Sequence, residues 1–272
     1  MSAVYDGAAA ARYWGGERLL AVPPGDRAAE DAAVLCQGKP LEMSRAYAAW
    51  EDDCLDALLP DLAGRTVLDL GCGVGRLLPR LARAAERVVG VDLAPGMLDR
   101  ARRRIAGLGN AEVRLGGVDA VDLQDGSVDV VVCFGVFEHV PSEHRHAALA
   151  EIARVLKPGG TLLLELNNAD SALLSGARAD NPHRVGVQWE NGYFCELVTV
   201  PDLLSAAADV GLDPVEDIAN PFYSAVRHAN AEHGAEESAA LFAKARELDR
   251  AFGASARLRA VSDQVVVKAV RR

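Results

Sequence analysis

Positive charge is in short supply. Against 39 Asp and Glu stand 29 Lys and Arg, a formal net charge of −10 over 272 residues. A nucleic-acid partner is not expected, because phosphate binding needs clustered Lys and Arg. Long apolar runs are missing too. Nothing approaches the ~18 uninterrupted apolar residues of a membrane span, and Asp129 interrupts the apolar region around 128–137. The amino terminus has no basic start and no long apolar core, so no secretory signal is visible and a cytoplasmic protein is expected. Cysteine is sparse: residues 36, 54, 72, 133 and 195 are scattered, odd in number and never spaced Cys-x-x-Cys. Such a pattern suits free thiols in a reducing compartment rather than a disulfide framework or zinc site. His139 to His144 reads His-x-x-x-Glu-His, which is not a zincin spacing, and Pro141 breaks any helix through it; no metal is expected. Gly253-Ala254-Ser255-Ala256-Arg257 fails a serine-hydrolase elbow at its last position.

What is present is apolar volume. Half of the residues are hydrophobic, enough for one large α/β domain with additions. The chain is organised around Thr66-Val67-Leu68-Asp69-Leu70-Gly71-Cys72-Gly73-Val74-Gly75-Arg76. Val67, Leu68 and Leu70 read as a buried strand, with Asp69 near its carboxyl end. Gly71 and Gly73 permit a tight turn and a close approach of backbone to ligand. A helix pattern follows, with Leu77, Leu78, Leu81, Ala82 and Ala85 on one face. Strand, glycine turn and helix form the nucleotide-site geometry of a doubly wound sheet, the helix N-terminus favouring an anionic group. A dinucleotide fingerprint would need a third glycine at position 76, where Arg76 stands.

Further along, Arg87 to Asp92 reads as a second strand ending in an acid. At the end of that strand a carboxylate accepts hydrogen bonds from both ribose hydroxyls of an adenosine ligand; as a bare structural feature it would be a loop carboxylate or a helix cap. Pro95 suits the first turn of the next helix, with Met97, Ala101, Ile105 and Leu108 buried and Arg100, Arg102, Arg103 and Arg104 on a solvated face. Strands are expected at 111–115, 128–133, 161–166, 213–218 and 264–270. Helices are expected near 44–59, with Tyr47, Trp50, Cys54, Leu55 and Leu58 packing inward; at 142–156, capped by Ser142; at 199–210, capped by Thr199 and stopped by Gly211; and near 235–252, with Leu241, Leu248 and Phe252 on one side.

Asp69 to Gly75 closely resembles motif I of the class I S-adenosylmethionine (SAM)-dependent methyltransferases. Asp129-Val130-Val131-Val132-Cys133-Phe134-Gly135-Val136-Phe137-Glu138-His139-Val140 resembles the fourth-strand motif of their small-molecule members. Lys157-Pro158-Gly159-Gly160 resembles the turn into their fifth strand. The likeness runs over 66–166 and is similar to the group that includes ubiquinone-pathway O-methyltransferases. It implies a doubly wound, Rossmann-like fold: a seven-stranded, mostly parallel sheet with an antiparallel last strand and helical cap elements. The implied reaction is methyl transfer from SAM to an oxygen or nitrogen of a small-molecule acceptor, giving S-adenosylhomocysteine (SAH), in bacterial secondary or cofactor metabolism, by a monomer or homodimer. Implied cofactor contacts fall on Tyr13, Asp69, Gly71, Cys72, Gly73, Gly75, Asp92, Leu93, Met97, Asp119, Ala120 and Phe134. Of these, Phe134 touches the methionine end. Gly116-Gly117-Val118-Asp119-Ala120 resembles the family's adenine-holding Gly-Asp-Ala segment with Val118 inserted, and Asp122 is the fallback.

An alcohol, phenol or ammonium acceptor benefits from a general base. His139, just beyond the fourth strand, and His183, in the loop after the fifth, are the candidates; His139 as a mere loop support is equally open. His144 and His146 are expected in solvent, and His228 and His233, bordering the last insertion, are possible pocket residues. Residues 1–60 are expected to form a helical lid, with Tyr13 and Trp14 over the ligand or in the core. Residues 61–272 would form the SAM-binding domain, with substrate-cap insertions near 167–192 and 221–262. Two other classes fit less well: a nicotinamide-dependent oxidoreductase, which Arg76 disfavours, and a catalytically inert SAM-binding scaffold.

Overall fold

The computed structural model describes residues 5–36, 38–175, 185–229 and 235–272. Its elements run α1 (Gly7–Gly15), α2 (Arg27–Leu35), α3 (Leu41–Leu58), β1 (Thr66–Leu70), α4 (Leu78–Ala84), β2 (Arg87–Asp92), α5 (Pro95–Arg104), β3 (Ala111–Leu115), β4 (Val128–Cys133), α6 (Ser142–Val155), β5 (Leu156–Asn167), α7 (Ala172–Ser175), β6 (Val187–Gln188), β7 (Phe194–Cys195), α8 (Val200–Asp209), β8 (Leu212–Ala219), α9 (Pro221–Ala229), α10 (Ala235–Phe252) and β9 (Gln264–Arg271). Seven strands form one sheet in the order β3-β2-β1-β4-β5-β9-β8, while β6 and β7 pair apart from it. The strands β1 to β5 are parallel, and β9 runs antiparallel to both β5 and β8. The seven-stranded sheet with an antiparallel last strand is the expected one; the β6–β7 hairpin is an addition. Strand order reverses between β1 and β4, which opens a crevice at their carboxyl ends.

Alternation along the strands builds two cores. Leu68, Val131, Cys133 and Leu164 face α6 and α8, against Leu149, Ile152 and Leu203. Val67, Val130, Val132 and Leu163 face the other way, against Leu55 and Leu58 of α3, Leu78 and Leu81 of α4, and Leu98 of α5. Covered on both faces, these strands need apolar residues at every position. Hence Val130, Val131 and Val132 are buried in succession.

Several local expectations change. Helix α4 begins only at Leu78 and is seven residues long, so the turn at Gly75 is separated from its N-terminus. Arg100 and Arg104 are not on a solvated face. Arg104 is buried and pairs with Glu30 and Asp31, and Arg100 also pairs with Glu30. These carboxylates come from α2, which the two arginines clamp onto α5. Arg102 and Arg103 do face solvent. The inward side of α10 carries Ser238, Phe242, Ala245 and Asp249, whereas Leu241 and Phe252 are exposed. Asp249 is there for a reason: its carboxylate accepts the Phe222 and Tyr223 amides at the start of α9. Ser142 does not cap α6; instead Glu196 accepts its backbone N–H at 2.7 Å. Thr199 caps α8 as expected, accepting from Asp202 N.

Candidate functional site

The glycine turn begins where β1 ends. Gly71 has φ of +76°, and a Cβ there would lie 2.3 Å from Val136 Cγ2. Gly73 has φ of +52° and open space on its Cβ side. Both conformations favour glycine, and the second leaves room beside the backbone. The amides of Gly71 and Cys72 donate to Val91 O at 2.7 and 3.0 Å, so the turn is tied to β2. Asp92 at the end of β2 completes the tie: Oδ2 accepts from Gly73 N at 2.9 Å and Oδ1 from Ala94 N at 2.8 Å.

A cavity of about 270 Å³ opens on this turn. Asp69, Gly71, Cys72, Gly73, Asp92, Leu93, Met97 and Phe134, all expected at a cofactor site, line it together with Gly116 and Val118. Asp69 is buried and its Oδ2 makes no hydrogen bond. Burial pushes its carboxyl up to about 7, with Arg76 opposing. Burial also raises Asp92, partly offset by the backbone amides it accepts. Arg76, standing where a dinucleotide turn would have glycine, pairs with buried Glu51 of α3 at 2.6 Å.

Four expected contacts do not line this cavity. Tyr13 is buried on the inner side of α1 instead; its neighbour Trp14 is the residue that reaches the cavity. Gly75 packs against α5, where a Cβ would meet Ala101 at 3.0 Å. Asp119 and Ala120 are exposed, because an isolated bridge between Gly117 and Ala120 turns the segment outward. Val118, which looked like an insertion, faces the cavity. Asp122 is exposed as well.

The sheet order carries the cavity sideways, from β2 past β1 and β4 to β5 and β9. At that end stand His139, Glu138, Glu165, Asn167, Gln264, Tyr47 and Arg227. His139 Nδ1 lies 2.7 Å from Phe194 O, which assigns the proton to Nδ1 and leaves Nε2 as the acceptor. Its ring packs on Trp14 at 4.8 Å and on Tyr193 at 5.5 Å between centroids. Burial lowers its pKa although Glu138 pulls the other way. The Tyr47 hydroxyl donates to Glu165 Oε1. Asn167 Nδ2 donates to Glu138 Oε1 at 2.6 Å, and Gln264 Nε2 to Asn167 Oδ1 at 2.9 Å.

His183 and His233 lie outside the described residues. His228 is not part of the cavity lining; its Nε2 pairs with Asp263 at 2.7 Å. His144 and His146 are in solvent. Glu51, Glu165, Arg227 and Gln264 have no role in the sequence reading; Arg76 has one only in disfavouring a dinucleotide turn, and Tyr47 only in packing. A signal existed for two of them. Glu165 is a lone carboxylate inside an otherwise apolar strand, and Glu51 sits one turn from Tyr47 on the buried face of α3. Among the described residues no group of three or more His, Cys, Asp and Glu is arranged to hold a metal ion, and no helix is long and apolar enough to cross a membrane.

Residues 67–160 match a family described as a methyltransferase domain. An uncharacterized methyltransferase of Mycobacterium bovis is 40% identical over 129 residues, 47% of this chain and 50% of its own length. The ubiquinone biosynthesis O-methyltransferase of Xanthomonas oryzae pv. oryzae is 41% identical over 116 residues, 41% of this chain and 47% of its own. The chain spans about half the length of the curated relatives it matches. In fold it is similar to the geranyl diphosphate C-methyltransferase of Streptomyces coelicolor A3(2), with a TM-score of 0.61, 21% identity and 100% of both chains covered.

Proposed function

We propose that this chain, whose residues 67–160 match a methyltransferase-domain family, is a class I SAM-dependent methyltransferase that methylates an oxygen or nitrogen of a small-molecule acceptor and releases SAH. The carrying observation is one continuous cavity, which has the glycine turn and Asp92 on one side and His139, Glu138 and Glu165 on the other.

The residues present fit the cofactor. Gly73 leaves open space beside its backbone, Asp92 offers a half-buried carboxylate, and Asp69 Oδ2 has no hydrogen bond. In this reading Asp92 takes the ribose hydroxyls, Leu93, Met97 and Val118 flank the adenine, and Phe134 borders the methionine end. SAM bound there supplies a sulfonium methyl group whose departure leaves a neutral thioether. The chain's share is mostly alignment of the acceptor with that methyl. Trp14 and Tyr193 wall the acceptor side and exclude water. His139 Nε2 takes the acceptor's proton, its ring held by the Phe194 carbonyl.

Two measurements test the reading. Thermal protection by SAM and SAH, with none by NAD, supports the cofactor assignment. SAH release from SAM in the presence of a pool of cell metabolites supports turnover. Protection without any release would leave a SAM-binding scaffold, and no protection would remove SAM from the site.

A further inference from the structure

We propose that the acceptor is a basic amine, held as its ammonium ion between Glu138 and Glu165 at the β5–β9 end of the cavity. The proposal rests on the methyl-transfer reading and deepens it.

Alternation fixes which way these groups point. Leu164 and Leu166 face the α6–α8 core, so Glu165 and Asn167 take the other face of β5, with Leu163. There Glu165 meets Tyr47 from α3, and Asn167 lies level with Gln264 across the β5–β9 ladder. Glu138 enters from the turn after β4. Glu165 is 1% exposed and Glu138 5%. Each has one carboxylate oxygen committed: Glu165 Oε1 accepts from Tyr47, and Glu138 Oε1 from Asn167. Each has a second, Oε2, with no hydrogen bond, and both side chains line the cavity.

Two buried carboxylates facing one cavity demand positive charge and donors. The arginines of the lining make their close contacts with other groups, although Arg76 still acts on Glu165 through space. Arg76 pairs with Glu51 and Arg227 with Asp263. Arg18 donates to Ala33 O and Tyr13 OH. Among the described residues the one ion-pair partner within 4.0 Å of Glu138 or Glu165 is His139, at 4.0 Å from Glu138. A phenol or alcohol brings a single donor and no charge. An ammonium ion brings up to three donors and the missing charge. Neighbouring Glu51 and Glu138 add to burial in raising the Glu165 carboxyl well above its usual range. Before transfer His139 Nε2 takes one proton from the ammonium, which frees the nitrogen lone pair to form the new N–C bond as the S–C bond breaks.

The test uses the full chain with methyl-labelled SAM and a bacterial small-molecule extract. Products that gain a labelled methyl are sorted by retention on a cation exchanger and separated from SAM by mass. The expected product is retained. Glu165→Gln should slow its formation at least ~10-fold, the scale of a buried charge partner lost, while SAH affinity by calorimetry stays within about twofold. Glu138→Gln is a second variant with the same expectation. Labelled products found only in the unretained fraction would overturn the amine assignment. So would a retained product whose rate neither variant changes. Equal loss of SAH affinity in both variants would instead assign the carboxylates to the cofactor's own ammonium group. SAH binding with no labelled product in any fraction would remove methyl transfer itself, and the amine subsite with it.

Discussion

Asp92 shows how much one side chain does. Its carboxylate holds the glycine turn through Gly73 and the start of α5 through Ala94, and in the proposed reading it receives the ribose as well. Asp92→Ala should weaken SAH binding by roughly 1.5–3 kcal/mol for each bond to the charged group that is lost, tenfold or more by calorimetry. Asp92→Asn keeps one acceptor oxygen and should lose less. Equal affinity in all three proteins would free Asp92 from the ribose. His139 makes a sharper claim. Burial lowers its pKa below the usual 6.5, so Nε2 is unprotonated at neutral pH and a base is available. Activity should fall on the acid side as pH drops through that lowered value, and His139→Gln should abolish this limb while lowering kcat by ~10²-fold, as for a general base. A variant that keeps the limb leaves His139 as a support for Phe194. At this scale the sequence was readable where backbone chemistry dictates the residue. Gly71, Gly73 and Asp92 announce themselves by conformation and spacing. Asp119 was misplaced because a short bridge from Gly117 to Ala120 redirects the chain, and no periodicity reports such a bridge.

Helices were legible as elements and less so in their faces. The spacing finds α3, α6, α8 and α10 within a few residues. It misreads the inner faces of α5 and α10, because both bury charge. Arg104 lies buried against Glu30, and Asp249 lies buried under α9. A buried, paired charge looks in a sequence like a solvent-facing one. Helix α1 is seated by glycines. A Cβ on Gly96 would sit 1.9 Å from Gly15 O, and one on Gly192 would sit 2.3 Å from Ala9 O. Backbone thus touches backbone on two sides, and Trp14 is delivered to the cavity. Gly96→Ala should therefore lift α1 without altering a cavity residue. The gain in helix propensity, about 1 kcal/mol, keeps α5 folded. We expect an unchanged far-ultraviolet circular dichroism spectrum, at least ~10-fold lower turnover, and a smaller loss of SAH affinity, the pattern of a lost cover. Deleting residues 1–15 should have the same effect more strongly. Full activity in either protein would return Trp14 to a packing role alone.

Across the molecule, the acidic balance is concentrated inside as well as outside. Burial raises Asp69 and Asp249 to about 7, and raises Asp92 and Glu165 also. The folded chain therefore keeps protons that the unfolded chain, with ordinary carboxyls, has already released by pH 6. Where the native state binds more protons, stability falls as pH rises. Carboxylates held low by arginine or lysine, such as Glu30, Asp53 and Asp129, have no slope in this range, being ionised in both states. His139 works in the opposite sense, and only below about 6.5. From pH 6 to 8.5 the ligand-free protein should therefore lose several degrees of Tm. SAM and SAH then separate the causes. Both occupy the same space, but only SAM carries the sulfonium charge, and a cation beside Asp69 and its neighbours favours their ionised forms. SAM affinity should rise with pH over this window and exceed the rise for SAH. SAM binding at pH 7 should release protons, seen as a heat that depends on the buffer's ionisation enthalpy. A Tm that is flat or rises from pH 6 to 8.5 would mean that the carboxyls are ionised in the ligand-free fold. A SAM-to-SAH affinity ratio that does not change with pH would place the sulfonium away from them.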